Sequence, residues 1–71
     1  MNERIVNLEF NYAIINLDTG ECLACMTFSY EIINDAYIAV PRAYHEYVGK
    51  YYNQANETWY YEPEFVTEFI I

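Results

Sequence analysis

The chain is poor in glycine, proline and positive charge. Two Gly and two Pro stand among 71 residues, and the basic side chains Arg4, Arg42 and Lys50 face eleven carboxylates. The resulting net charge of −8 opposes binding to nucleic acid or to an anionic membrane, because both need a basic footprint. A basic protein partner is compatible with it, and so is the simpler role of keeping an aromatic surface in solution. No apolar run reaches the roughly 18 residues that span a bilayer. Met1-Asn2-Glu3-Arg4 is not a basic region followed by a long apolar stretch, so no targeting segment is expected. The expected location is the cytosolic side of the cell that makes it, or a particle assembled there. With glycine so scarce, each one marks a turn or strand end, and Gly20 and Gly49 lie too far apart to form a phosphate-cradling loop.

Groups for catalysis are equally few. The single His, His45, sits among Tyr44, Glu46 and Tyr47; a Glu–His contact is conceivable there, but neighbours on a loop do not make the rigid constellation a reaction needs. Glu62 and Glu64 form a carboxylate pair without the chain bulk to build a cleft around it. Cys22 and Cys25 form a lone C-x-x-C. A structural zinc needs about four ligands, and a thioredoxin-type motif opens a helix within a βαβ unit. Here the pair follows a turn inside a strand-like run. Strand parity then sends the two thiols to opposite faces, and they read as packing residues. No enzyme activity, cofactor or metal is expected.

What the chain does have is aromatic and apolar mass. The apolar fraction is 55% and the aromatic fraction 20%, with nine Tyr, four Phe and one Trp. That excludes the low-hydrophobicity signature of disorder and suits a pleated, half-buried surface. The expected architecture is a single domain over residues 1–71. A domain this short buries only about 60% of the surface its unfolded chain exposes, so a staple or a partner subunit is a common supplement.

Patterning points to a mainly β fold: a small antiparallel sheet of two hairpins with at most one short helical turn. Ile5–Leu17 reads as a strand, with Tyr12, Ile14 and Asn16 on one face and Ala13, Ile15 and Leu17 on the other. Residues 1–11 are an N-terminal extension or part of that strand. Asp18-Thr19-Gly20-Glu21 is a hairpin turn in which Gly20 supplies positive φ in a three-residue or bulged loop. Cys22–Tyr30 resumes as a half-buried strand, with Cys22, Ala24, Met26, Phe28 and Tyr30 as its apolar set. Asn34-Asp35 signals a turn. Tyr37–Val40 is a short strand stopped by Pro41, which ends it or confines it to an edge. Arg42–Val48 is either a helical turn, with Tyr44, Tyr47 and Val48 at helical spacing, or a loop. Gly49–Tyr52, the polar segment Asn53–Glu57 and Thr58–Tyr61 form a second hairpin that Glu62-Pro63 ends. Residues 64–71 are an apolar tail or strand in which Phe65, Thr67 and Phe69 oppose Val66, Glu68 and Ile70.

Tyr44, Tyr47, Tyr51, Tyr52, Trp59, Tyr60 and Tyr61 concentrate in one segment. Tyr and Trp offer large contact area at low entropy cost and dominate interface hot spots. With Phe65 and Phe69 of the tail they are the candidate partner-binding residues, and the alternative is that tyrosine fills a core short of leucine. The tail's alternation suits strand addition to a sheet edge, either its own domain's or another subunit's, so a homo-oligomer is open.

Three stretches carry a resemblance: Tyr12–Leu23, with its Asn16-Leu17-Asp18-Thr19-Gly20-Glu21 turn; Tyr37-Ile38-Ala39-Val40-Pro41; and Gly49-Lys50-Tyr51-Tyr52-Asn53 with Thr58-Trp59-Tyr60. From residue 12 onward the chain resembles short accessory proteins of tailed bacteriophages and prophages of Gram-positive bacteria, often encoded in the tail-and-lysis region. Glu64-Phe65-Val66-Thr67 is similar to an acidic-Phe-Thr ending common in that group. Met1–Asn11 departs from it as an extended N-terminus. The resemblance implies an accessory protein of the tail-associated kind, whose partner is a phage structural protein or a host protein; it supplies no site residues. Three functions are therefore carried forward: a tail or virion accessory acting by protein contact, an acidic inhibitor of a host defence or nucleic-acid-binding protein, and a carbohydrate-binding module built on Trp59.

Overall fold

The computed structural model describes residues 8–71; the expectation for Ile5–Asn7, and for the extension before them, falls outside those residues. Five short strands and one 3-10 turn follow in order: β1 Phe10–Ile15, β2 Cys22–Phe28, β3 Tyr37–Ala39, the turn His45–Tyr47, β4 Tyr51–Asn53 and β5 Thr58–Tyr60. They form two antiparallel sheets, β2-β1-β3 and β4-β5. The fold is mainly β with one short helical turn, as the patterning predicts. Two details differ. β1 starts at Phe10, after an exposed Leu8-Glu9, and β2 stops at Phe28, where Ser29-Tyr30 bends away.

β1 is the central strand of the first sheet. It pairs with β2 from Phe10↔Phe28 to Ile15↔Cys22, and with β3 through Tyr12↔Ala39, Ala13↔Ile38 and Ile14↔Tyr37. Adjacent residues Tyr12 and Ala13 are both buried, because each face of β1 is covered by packed side chains. Ala13 and Ile15 enter the main core. On the other face the Tyr12 ring meets Phe28 at 6.1 Å and Tyr37 at 5.8 Å, and Phe28 meets Tyr30 at 5.7 Å. The Tyr12 hydroxyl accepts the Ile32 amide N–H at 2.9 Å, which ties down the connection between β2 and β3. Pro41 follows directly on the last β3 pairings, and β3 lies at the sheet edge, where a residue without an amide donor costs no ladder bond.

Asparagine shapes the turns. Asn16, Asn34 and Asn53 each accept, through Oδ1, the backbone N–H two residues on, at 2.8, 2.9 and 2.9 Å. These local bonds give the chain turns where it has almost no glycine. The Asn16 N–H···O=C Glu21 bond encloses Leu17–Gly20, one residue more than a three-residue loop. In the second hairpin, Glu57 closes the turn at φ 55°, a left-handed conformation that usually favours glycine.

The register along β1 and β2 slips between Ile14 and Ile15: Ile14 pairs Ala24, but Ile15 pairs Cys22. Leu23 is thus the extra residue of a β-bulge, and its side chain is exposed. The bulge overturns the parity expectation for the cysteines. Cys22 and Cys25 share the core face, with their Sγ atoms 3.9 Å apart. Ala24, Met26 and Phe28 lie on the Tyr12 face, so the expected apolar set is split, and Met26 and Tyr30 are exposed.

The two sheets join where the first hairpin meets β4. Tyr52 N–H donates to the Gly20 carbonyl at 2.9 Å, Cys22 N–H to Lys50 at 2.8 Å, and Gly49 N–H to Cys22 at 2.9 Å, with Glu21 bridging Tyr51. Around this seam lies the core: Ala13, Ile15, Cys22, Val40, Tyr47 and Tyr52, with Cys25, Ile38, Tyr44, Val48, Trp59 and Phe69 packed against it. Gly20 is buried with φ +80°, and a Cβ there would meet the Tyr52 carbonyl oxygen at 2.5 Å. Gly49 has φ +87° but open space around its Cβ position. Chemical denaturation should separate the two effects. Gly49→Ala is expected to cost about 1 kcal/mol for the left-handed backbone alone, and Gly20→Ala at least twice that, because the seam must also open; equal losses would mean that the close approach contributes nothing.

Candidate functional site

The second hairpin and the tail form one unit. In β4–β5, Tyr51 pairs Tyr60, Tyr52 pairs Trp59 and Asn53 pairs Thr58. Directly paired side chains lie on the same face. Tyr52 and Trp59 point into the core; Tyr51 and Tyr60 point away from it. The tail then adds a strand-like segment to the free edge of β5. Tyr61 N–H donates to Thr67 at 2.9 Å, Phe69 N–H donates to Trp59 at 2.8 Å, and Glu68 bridges Tyr60. The expected strand addition therefore takes place on the chain's own sheet.

This arrangement divides the candidate residues. Tyr47 and Tyr52 are buried, at 8% and 9% exposure, and they flank Trp59, each with its ring centroid 4.9 Å from the indole. Phe69 meets Tyr47 at 5.9 Å, and Tyr44 packs against the same core. These five are core-building side chains, so that part of the aromatic segment fills the interior. Trp59 itself is half-buried, with both tyrosine rings packed against it. Tyr51, Tyr60, Tyr61 and Phe65 remain accessible; Tyr61 is exposed and the other three are half-buried.

Phe65 is the most unusual of them. It holds φ 58°, a strained conformation for a bulky side chain. The turn Glu62-Pro63-Glu64-Phe65, closed by the Phe65 N–H···O=C Glu62 bond at 3.0 Å, brings its ring to 5.3 Å from Tyr60. Strain kept in place by its surroundings often marks a functional position. Phe65 also edges an open depression of about 220 Å³ that the first turn, Leu17–Gly20, forms with Tyr52–Ala55. Leu17 is exposed beside it. Leu17 was not a sequence candidate, and its place beside Phe65 depends on the seam between the hairpins.

A second depression, about 260 Å³ between Glu9–Tyr12, Glu31 and Ala39–Pro41, is like the first below the size of ordinary small-molecule pockets. His45 is exposed. Among the described residues no group of three or more His, Cys, Asp or Glu side chains converges on a metal-sized position. Lys50 Nζ lies 4.9 Å from the Phe69 ring and 5.4 Å from the Tyr61 ring, a cation–π geometry that helps seat the tail.

Burial and hydrogen bonding shift a few groups. Desolvation raises Tyr47 and Tyr52 and, above all, pushes the Cys22 thiol up to about 12. Glu62 moves the other way: its Oε1 accepts the Thr67 amide at 2.7 Å, which holds its carboxyl below the ordinary carboxylate value. Comparison with protein-family models, with curated proteins and with solved structures finds no match.

The Glu62 bond ties the tail to charge. A carboxyl whose folded value is depressed stabilises the folded form above its unfolded value and loses that contribution as pH falls through the folded one. The protection factors of the Thr67 and Phe69 amides should therefore be high at neutral pH and fall on acidification below the ordinary carboxylate range. In Glu62→Gln they should be lower at neutral pH and lack that acid step. A wild-type tail whose protection is flat through acid pH would rule the tether out.

Proposed function

We propose that this chain is a non-enzymatic accessory protein that works by protein–protein contact, of the tail- or virion-associated kind that its resemblance to phage proteins implies. One observation carries the reading: among the described residues, more large hydrophobic side chains are exposed than buried. Ile33, Val66 and Ile70 stand at 92%, 73% and 76% exposure. Exposed apolar surface on this scale is commonly a protein-contact site. The contact face centres on Tyr51, Tyr60 and Phe65, with Leu17 and Val66 beside it. Tyrosine anchors held by a strand pair meet a partner at small entropic cost, and the surrounding carboxylates favour a partner with basic character at its rim.

The second reading, an acidic inhibitor of a host protein, draws on the carboxylates themselves, since every described one except Glu21 and Glu62 is exposed. The two readings part on salt and on the particle. Mass spectrometry of purified particles should find the chain, and absence from them would remove the virion role. Binding to the particle protein should weaken at least about tenfold, or ~1.4 kcal/mol, in both Tyr60→Ala and Phe65→Ala, with only a modest loss as salt screens the charged rim. A steep loss of binding in salt, indifferent to those two substitutions, would favour the inhibitor.

A further inference from the structure

The β-bulge at Leu23 places two free thiols side by side on the core face. Cys22 is buried, at 1% exposure, and Cys25 is half-buried. Their Sγ atoms lie 3.9 Å apart, and the Cys22 thiol also reaches the Ala24 carbonyl at 3.4 Å. The sulfurs must approach by about a further 2 Å to reach the S–S length of a disulfide. The two cysteines differ in their freedom to make that approach. Cys22 is pinned through its backbone, donating to Lys50 at 2.8 Å and accepting from Gly49 at 2.9 Å. Cys25 sits beyond the bulge on an edge strand, next to the 3-10 turn that carries Glu46.

We propose that Cys22 and Cys25 form a dithiol–disulfide site that reacts with uncharged or cationic low-molecular-weight disulfides. Cys25, the more accessible thiol, attacks first. Its thiolate bonds to one sulfur of the small disulfide, that S–S bond breaks, and one small thiol leaves. Cys22 then gives up its proton and attacks Cys25 Sγ, breaking the mixed disulfide and releasing the second small thiol. Two protein thiols lose two electrons and two protons, and one disulfide becomes two thiols. Burial raises the Cys25 thiol above its ordinary value, and the Cys22 S–H, which can donate to a Cys25 thiolate, offsets part of that rise; this suits Cys22 to the second role. Selection by charge follows from Glu46, whose carboxylate lies near enough to disfavour a thiolate at Cys25, and from the net charge of −8; both repel an anionic reagent.

The test uses the full reduced chain and three probes: bis(2-hydroxyethyl) disulfide, which is neutral, cystamine, which is cationic, and oxidised glutathione, which is anionic. The expected product is an intramolecular disulfide about 2 Da lighter than the reduced chain, with both thiols lost to alkylation and no persistent adduct. The neutral and cationic probes should react at least about tenfold faster than glutathione at low salt, and the difference should shrink as salt screens it. Against one redox couple, the equilibrium constant for closure should be at least about tenfold larger in native buffer than in denaturant, because the fold holds the sulfurs together. Cys22→Ser should stop at a stable mixed disulfide on Cys25, and Cys25→Ser should leave Cys22 unreacted. Thiols that stay alkylatable in the native wild type, a wild-type adduct that persists, or a closure constant no larger than in denaturant would each overturn the proposal, whether or not the variants fold.

Discussion

The structure depends on a short antiparallel seam between Gly20–Cys22 and Lys50–Tyr52. Neither sheet alone could bury a useful core, since one has three short strands and the other two, and an isolated hairpin is marginal in water. The seam makes each supply the missing layer for the other. It requires a residue without a side chain at Gly20, where the Tyr52 carbonyl occupies the space, and a small buried side chain at Cys22. The bulge at Leu23 follows from the same demand. It turns Cys22 inward at the start of β2 while the rest of that strand keeps its pairing with β1.

Tyrosine does the work that leucine does in larger cores. Tyr47, Tyr52, Trp59 and Phe69 surround one another with centroid separations of 4.9 to 5.9 Å, and each ring brings more area than an aliphatic side chain. The aromatic segment is thus divided by strand parity. Its inward half is structural. Its outward half, Tyr51 and Tyr60 with Phe65 leaning on Tyr60, is held in place by that core, and a contact surface gains specificity when its anchors are fixed before binding. The tail completes the arrangement by pairing with β5 and laying Phe69 against the interior, while Val66, Ile70 and Ile71 face solvent.

Much of this was legible in the sequence. Alternation located both hairpins, Asp18 to Glu21 and the polar segment Asn53–Glu57 located their turns, Asn34-Asp35 located the turn before β3, and Pro41 marked the end of an edge strand. Helical spacing around Tyr44–Val48 anticipated the 3-10 turn, and the alternating tail anticipated strand addition. These signals are local: each needs only a period of two or three residues, or one residue's backbone preference. The candidate site was legible in composition, as an excess of aromatic residues, and only half legible in position. Cross-strand register decides which rings face inward, and nothing in the segment itself states it.

The sequence by itself determined a mainly β chain, its turns, its acidity and its aromatic excess, because those follow from residue type and short-range periodicity. Only the tertiary structure decided that β3 returns to pair with the second edge of β1, that the tail pairs with β5 of its own chain, and that Leu17 stands beside Phe65. The cysteines show the physical reason most plainly. Parity along a regular strand separates Cys22 from Cys25, and a single extra residue, Leu23, reverses that outcome. The bulge arises where the strand must pair with β1 on one side and with Lys50 on the other, a constraint set by a segment almost thirty residues away.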